Sequence, residues 1–340
     1  MGNSGGNQGG HTVAVIGAGS WGTALAIQFA RAGSNVHLWS RSRQLAAAIT
    51  ASGRNAAYLP DQPLPPGIES TADIALALRD SKDILVAVPS HAFRQTLQLL
   101  ADNDLAGKRL AWATKGFELE TGLLPHEVAR SVFGESLPAA VLSGPTFAAE
   151  VAAGLPSALT VASTDGDYAQ RLARRLATET FRAYVSGDVI GVEVGGATKN
   201  VFAIGAGLCD GLGFGANTRI ALITRGLAEM TRLGLRLGAQ RETFMGLAGM
   251  GDLVLTCTDN LSRNRRFGLA LAQGSDPKTA LGDIGQVVEG YLGARAVRDV
   301  AHAHNVDMPI IEQIYRILYE GLNPLDAVRE LMLRPVSDES

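Results

Sequence analysis

The chain is poor in cysteine and lysine, has no acidic residue near its start, and contains no long apolar run. Two cysteines in 340 residues, Cys209 and Cys257, are too few for a disulfide framework or a thiolate metal site. They fit a reducing compartment, the cytoplasm. The longest apolar stretches, such as 24–30, fall far short of a membrane span. A net charge of -3 leaves no electrostatic footprint for nucleic acid, and no polybasic run points to a membrane surface. Six histidines are scattered without ligand spacing. His91, His126, His302 and His304 read as surface or satisfied residues, so no metal is implied. Lysine takes only five of the 30 basic positions (82, 108, 115, 199 and 278), leaving 25 arginines. Where arginine is the default cation, a lysine among apolar and glycine residues is a candidate for chemistry that needs a proton to leave. Lys115 in Trp-Ala-Thr-Lys-Gly-Phe and Lys199 in Gly-Gly-Ala-Thr-Lys-Asn-Val have that setting.

What is present fits a globular enzyme. Hydrophobic residues make up 46% and charged residues 19%, which excludes a disordered or fibrous chain. The length exceeds one comfortable core and predicts two domains. Residues 1–11 are rich in glycine and asparagine and read as a flexible leader without signal-peptide regions. Gly6 stands where a myristoylation signal needs Ser or Thr.

Apolar, β-branched runs at 12–16, 35–39, 84–88, 110–114, 139–142 and 159–162 read as buried strands. Helical patterns lie between most of them, at 21–32, 44–51, 72–78, 93–100, 124–132 and 168–176. This alternation predicts an α/β fold over 12–186, a doubly wound, mostly parallel sheet of Rossmann type covered on both faces. Beyond 186 strand signals cease. Long helical periods at 189–208, 217–235, 262–272, 291–304 and 309–319, with a short one at 324–332, predict an all-helical domain over 187–340. No flexible linker separates the two, which suggests close packing around a cleft.

Val13-Ala-Val-Ile16 runs into Gly17-Ala-Gly-Ser-Trp-Gly22 and then an apolar helix. In this strand–loop–helix setting G-x-G-x-x-G points to a dinucleotide. Gly17 serves the tight turn, Gly19 the close approach of a pyrophosphate, and Gly22 the packing of helix on strand. Binders of NAD usually place an acid at the end of the next strand for the ribose 2′-hydroxyl. Here that strand ends in His37-Leu-Trp-Ser-Arg-Ser-Arg43, and no Asp or Glu precedes Asp61. Arg41 and Arg43 suit a 2′-phosphate instead. The expected cofactor is NADPH/NADP, with NADH/NAD still open, and Arg41 is the better placed of the two arginines.

Several longer motifs follow in order: VPSHAFR at 88–94, ATKGFE at 113–118 and LSGPTFAAEVA at 142–152. GGATKNVFAIGAGLCDGLGFGANTRIALITRGLAEM at 195–230, GLAGMGDLVLTCTDNLSRNRRFG at 246–268 and VVEG at 287–290 complete the set. From about 12 to 332 the chain resembles bacterial NAD(P)-dependent glycerol-3-phosphate dehydrogenase. The resemblance implies interconversion of dihydroxyacetone phosphate and sn-glycerol 3-phosphate, the precursor for phospholipid synthesis. It implies Lys199 as the catalytic residue, with substrate against Lys115, Gly144, Thr146, Lys199, Asp252, Ser262, Arg263 and Asn264. It places cofactor against Gly17, Gly19, Ser20, Trp21, Gly22, Arg41, Lys115, Ala148, Arg263, Val287 and Glu289. A homodimer is compatible with it, and the residues leave that open. Leu261 and Ile220 depart from the family's more frequent Gln and Ala, at positions that adjoin the binding residues and are not among them.

These residues also make chemical sense by themselves. Carbonyl reduction needs a hydride donor, a proton donor and anchors for the rest of the substrate. Lys199 can give the proton if burial or a neighbouring cation such as Lys115 lowers its pKa. Read alone, it fits a salt bridge equally well. Lys115, Gly144 and Thr146 follow strands at the carboxyl edge, where doubly wound sheets bind ligands. Ser262, Arg263 and Asn264 open a helix, a favourable place for an anion. Asp252 can accept from a substrate hydroxyl, orient Lys199, or merely cap a helix. Glu289 alone reads as a helix-start charge. Two rivals remain, a related keto-acid reductase and an NADPH-binding sensor without turnover.

Overall fold

The computed structural model describes residues 11–134 and 137–334, so the leader expected at 1–10 lies outside the described residues. The most uniformly apolar run forms β1 (Thr12–Ile16), in the interior of an eight-stranded sheet. With β2 (Asn35–Trp39), β3 (Ile68–Thr71), β4 (Ser81–Val86), β5 (Arg109–Trp112), β6 (Ala139–Ser143), β7 (Ser157–Ala162) and β8 (Phe181–Ser186), the order is β3-β2-β1-β4-β5-β6-β7-β8. Every neighbouring pair is parallel except β6 with β7. Helices α1 (Ser20–Arg31), α2 (Arg43–Ser52), α3 (Ile74–Leu78), α4 (Ser90–Ala101), α5 (Pro125–Phe133), α6 (Ala148–Ala153) and α7 (Gly166–Leu176) join the strands. One core layer gathers Leu25, Phe29, Leu38 and Tyr168, the other Ile16, Phe93 and Trp112. The sheet is therefore covered on both faces, as the strand composition predicts. The strand order reverses at β1, where ligands of such sheets gather beyond the carboxyl ends.

Three elements of the sheet half escape the sequence pattern: β3, β8 and α6. The two strands lie at opposite sheet edges, and each is partly exposed along its length. Edge exposure removes the apolar signature. β4 also starts three residues earlier than expected because Asp83, 1% exposed, passes inside it as a neutralised charge. Asp83 accepts from Arg109 Nε at 2.6 Å and pairs with His11 Nε2 at 2.7 Å, with Arg175 alongside. His11, counted with the leader in the sequence reading, is thus tied to the sheet. Burial is the main cause, and nearby arginines add to it, of a His11 pKa pushed down to about 4.

The second half is helical. It comprises α8 (Val189–Gly211), α9 (Ala216–Arg236), α10 (Arg241–Phe244), α11 (Asp252–Thr258), α12 (Arg263–Ala272), α13 (Pro277–Ile284), α14 (Glu289–Ala303), α15 (Pro309–Tyr319) and α16 (Pro324–Met332). α8 is buried on all sides and forms the axis of this half, with nearly every residue inaccessible. Cβ atoms at Gly207 and Gly268 would each lie 2.1 Å from a carbonyl oxygen of the opposing helix. α8 and α12 therefore pack backbone against backbone, which holds the start of α12 beside the middle of α8. Glu193 on α8 joins the halves by accepting from Trp112 Nε1 at 2.8 Å and His126 Nδ1 at 2.5 Å. The sequence periodicity does not predict the short helices α10, α11 and α13, and a wide turn of π geometry at Leu247–Gly251 precedes α11. Among the described residues no helix is long and apolar enough to cross a membrane.

Candidate active site

The loop after β1 has the geometry its glycines require. Gly17 has φ +121°, and a Cβ there would lie 2.5 Å from the Ala87 carbonyl oxygen. Gly22 has no room either, since its Cβ would meet the Gly17 carbonyl oxygen at 1.9 Å. Gly19 is the opposite case, with nothing within 4 Å of a would-be Cβ. It is also the N-cap of α1, with no side chain bonded to the first amides. The first turn of a twelve-residue helix thus opens on free space with unspent N–H donors. Ser20 and Trp21 form that turn, and the Trp21 indole N–H is buried without a partner among the described residues. This cradle fits a pyrophosphate. At the end of β2, Arg41 is exposed, and so is Arg43, which opens α2 behind its Ser42 cap. Ala148 begins α6 and packs at the edge of the core beside α1.

The lysines singled out by composition meet on one carboxylate. Lys115 follows β5 and lies across Gly196 on α8, where a Cβ would sit 3.3 Å from its Cγ. Its Nζ donates to Asp252 Oδ2 at 2.7 Å. Lys199, one turn further along α8, donates to Asp252 Oδ1. Asp252 is 1% exposed and Lys199 7%. Asp252 opens α11, but its side chain is spent on the lysines and not on a helix cap. Thr256 Oγ1 bonds its backbone carbonyl at 2.6 Å, which fixes this first turn. Burial lowers the Lys199 pKa to about 7, with Asp252 opposing and the Lys115 charge adding to the fall. Burial alone would raise the Asp252 carboxyl, but the two ammonium groups outweigh it and hold the pKa below the ordinary value. The result is a lysine able to change protonation state near neutral pH.

The surrounding residues converge on the same cleft. Ser143, at the end of β6, has a buried hydroxyl without a partner among the described residues and lies beside Gly196. Gly144 follows it, and a Cβ there would press on Leu159 Cα at 2.8 Å. The residue therefore serves strand packing as well as any approach from the cleft. Thr146 Oγ1 bonds the Gly144 carbonyl at 3.2 Å. Ser262 caps α12, its Oγ accepting from Arg265 N at 3.2 Å. Arg263 is half-buried and reaches Gln286 Oε1 at 3.2 Å. Burial is the main influence on it and lowers its pKa, while Glu289 opposes. Asn264 is bonded internally through both side-chain heavy atoms, Nδ2 donating to Asn200 Oδ1 at 2.9 Å and Oδ1 accepting from Gly290 N at 2.8 Å, which leaves Nδ2 a second N–H. It ties α8, α12 and α14 together. Val287 is exposed just before α14. Glu289 is more than a helix-start charge, since it accepts from Ser90 Oγ at 3.2 Å across the cleft. Burial pushes its pKa up to about 7 against the pull of Ser90 and Arg263.

Nothing in the sequence singles out Ser90, Asn200 and Thr256, although each lies inside a quoted motif. Small polar residues carry no pattern that separates them from ordinary helix positions. Leu261 and Ile220, the departures from the family pattern, are exposed at 49% and 55% and leave the buried contacts untouched. A cavity of about 360 Å³ lies away from this cleft, lined in part by Arg298, His302, Glu312 and Arg334. Arg298 and His302 pair with Glu312, and Arg334 pairs with Asp307. Among the described residues no group of acidic, histidine or cysteine side chains is arranged to hold a metal ion.

Comparison with known proteins agrees with this geometry. The family model for the N-terminus of NAD-dependent glycerol-3-phosphate dehydrogenase matches residues 12–169, and that for its C-terminus matches 188–329. Glycerol-3-phosphate dehydrogenase [NAD(P)+] of Shigella boydii is 54% identical over 334 residues, 98% of each chain. The crystal structure of the Coxiella burnetii glycerol-3-phosphate dehydrogenase superposes with a TM-score of 0.93 at 47% identity, covering 96% of this chain and 99% of that one. A ketopantoate reductase from Ralstonia eutropha, at 16% identity and a TM-score of 0.58, shares the fold alone. The chain belongs to the NAD-dependent glycerol-3-phosphate dehydrogenase family, oxidoreductases that use NAD(P).

Proposed function

We propose that the chain interconverts dihydroxyacetone phosphate and sn-glycerol 3-phosphate, with Lys199 exchanging the proton at the reacting oxygen. The observation that carries this reading is the buried Lys199–Asp252–Lys115 cluster at the carboxyl edge of the sheet. The α1 cradle would hold the nicotinamide cofactor, which would supply the hydride. The protein's own part is positional and electrostatic. Asp252 holds Lys199 Nζ in one place, and Lys115 keeps a second positive charge beside the oxygen on which negative charge develops. Lys199 gives its proton to that oxygen in reduction and takes it back in oxidation. The substrate phosphate belongs at the start of α12, where Ser262, Arg263 and Asn264 and the free amides of the helix offer donors. Gly144 and Thr146 border the substrate on the sheet side.

Residues 12–186 thus act as the cofactor module and 187–340 as the substrate module. Gly17, Gly19, Ser20, Trp21 and Gly22 hold the pyrophosphate. Arg41 takes a 2′-phosphate, which favours NADPH over NADH. Ala148, Arg263, Val287, Glu289 and Lys115 enclose the nicotinamide end. The product suits phospholipid synthesis, and the two buried free thiols, Cys209 and Cys257, suit the cytoplasm. The test is consumption of NADPH with dihydroxyacetone phosphate, in wild type and in Lys199→Ala. Turnover in wild type with a loss of about a hundredfold or more in the variant, NADPH binding being retained, supports the reading. Absence of turnover in folded wild type that still binds NADPH overturns it in favour of a keto-acid substrate or a sensor.

A further inference from the structure

The residue that best explains how the α1 cradle keeps its donors aimed outward is not in the glycine loop at all. Asn55 lies between α2 and β3 and is completely buried, with 0% exposure. Its Nδ2 donates to the Ala18 carbonyl at 2.9 Å and to Thr23 Oγ1 at 2.8 Å. Ala18 is the residue between the first two glycines of the loop, and Thr23 is in the first turn of α1. The same segment touches the loop again where Ser20 Oγ donates to the Tyr58 carbonyl at 3.4 Å.

The consequence follows from the planar trans peptide, in which C=O and the next N–H point in opposite directions. Drawing the Ala18 carbonyl inward to Asn55 turns the Gly19 N–H the other way. Gly19 itself borders open space, with no atom within 4 Å of a would-be Cβ. The Ala18 carbonyl can only accept, so the Asn55 amide has one workable orientation, with Nδ2 toward the loop. Oδ1 then remains buried without a partner among the described residues. A buried acceptor left unsatisfied costs free energy, and its persistence is expected where the donor half of the side chain has a function.

We propose that Asn55 is a positioning residue for cofactor binding, holding the Ala18–Gly19 peptide so that its N–H faces the pyrophosphate. The inference rests on the reading of this loop as the pyrophosphate site. Asn55 touches neither cofactor nor substrate in this account. It acts through the peptide it anchors, by keeping the donors organised before the ligand arrives. The Asn55 side chain therefore contributes to affinity for ligands that carry the pyrophosphate and contributes nothing to affinity for those that lack it.

The experiment compares wild type, Asn55→Ala and Asn55→Ser for NADPH KM, kcat at saturating NADPH, and inhibition by adenosine 2′-monophosphate. That probe keeps the adenine, ribose and 2′-phosphate and lacks the pyrophosphate. Expected is an NADPH KM raised about tenfold, the scale of one lost hydrogen bond in a preorganised site. kcat should stay within about twofold and the inhibitor constant should not move. A purely structural role would lower the melting temperature and the active fraction while leaving KM unchanged, and that result overturns the proposal. So does equal weakening of NADPH and the monophosphate. Gly19→Val, measured in parallel, separates the two readings. If it leaves NADPH binding intact, the loop is not the pyrophosphate site. If it abolishes binding while Asn55→Ala does not weaken it, the positioning role alone is wrong.

Discussion

Lys199 and Lys115 occupy the two oxygens of a single buried carboxylate, so neither ammonium can be described without the other. Asp252 is the shared partner, bonded to Lys115 at 2.7 Å and to Lys199 directly. Two cations drawn together in a buried site repel one another, and only the carboxylate between them makes the arrangement stable. Removing that carboxylate leaves two buried charges uncompensated. Asp252→Ala is expected to cost about 3–5 kcal/mol of stability, the range for breaking buried ion pairs. Asp252→Asn keeps the shape and should fold better, while losing most of the activity. Denaturant titration and steady-state kinetics on both variants check this. A stable, fully active Asp252→Ala would show that the cluster is not needed.

The protonation of Lys199 sets a direction for the pH dependence. With its pKa lowered to about 7, the ammonium form is lost as pH rises through neutrality. kcat/KM for ketone reduction should therefore fall across that range, whereas kcat/KM for alcohol oxidation should rise. Asp252 raises the Lys199 pKa, so Asp252→Asn should move the midpoint to lower pH. Ionisation of the substrate phosphate is common to both enzymes and cancels in the comparison. A midpoint unchanged between wild type and Asp252→Asn would argue that another group is being titrated.

Cofactor choice should depend on the exposed arginines after β2. Arg41→Ala removes a guanidinium from the end of that strand and should raise the NADPH KM about tenfold, the scale of one charge-assisted hydrogen bond. NADH carries a ribose hydroxyl at that position and should be affected little. Arg43→Ala, measured alongside, tells whether the second arginine shares the phosphate. Equal loss for both cofactors would mean that Arg41 acts on something other than the 2′-phosphate.

Which elements are legible in the sequence depends on physical cause. α15 is legible to the residue, since Pro309 marks its first position and buried Ile310, Ile311, Ile314 and Leu318 repeat at helical spacing. β1 and its loop are equally legible, because the glycines are demanded by local geometry. β3 and β8 are not, because an edge strand lacks the burial on both sides that makes the others conspicuous. In the site, the rarity of lysine singled out Lys115 and Lys199. Their meeting at Asp252 depends on packing between elements 53 and 137 residues apart in sequence. Asn55 is the extreme case. A lone asparagine in a loop carries no pattern, and its partners lie 32 and 37 residues away.

In the helical half, far from the chemistry, stability depends on a buried carboxyl. Glu229 on α9 is 2% exposed, and its carboxyl accepts from Ile310 N at 2.8 Å and Ile311 N at 3.3 Å. It satisfies amides at the start of α15 that would otherwise be orphaned. Burial nevertheless raises its pKa from 4.5 to about 8, the two amide bonds opposing only in part. Between those values the native state holds a proton that the unfolded chain has released. The contribution is therefore present at acid pH and is lost as pH rises toward 8. Glu229→Gln cannot titrate and should flatten this fall, while losing the bond from Ile311 N, because a carboxamide accepts through one oxygen only. Glu229→Ala leaves the amides unsatisfied and should cost about 1–3 kcal/mol. Calorimetric melting of the three proteins across this pH range provides the check. Parallel curves for wild type and Glu229→Gln would mean that Glu229 does not titrate there.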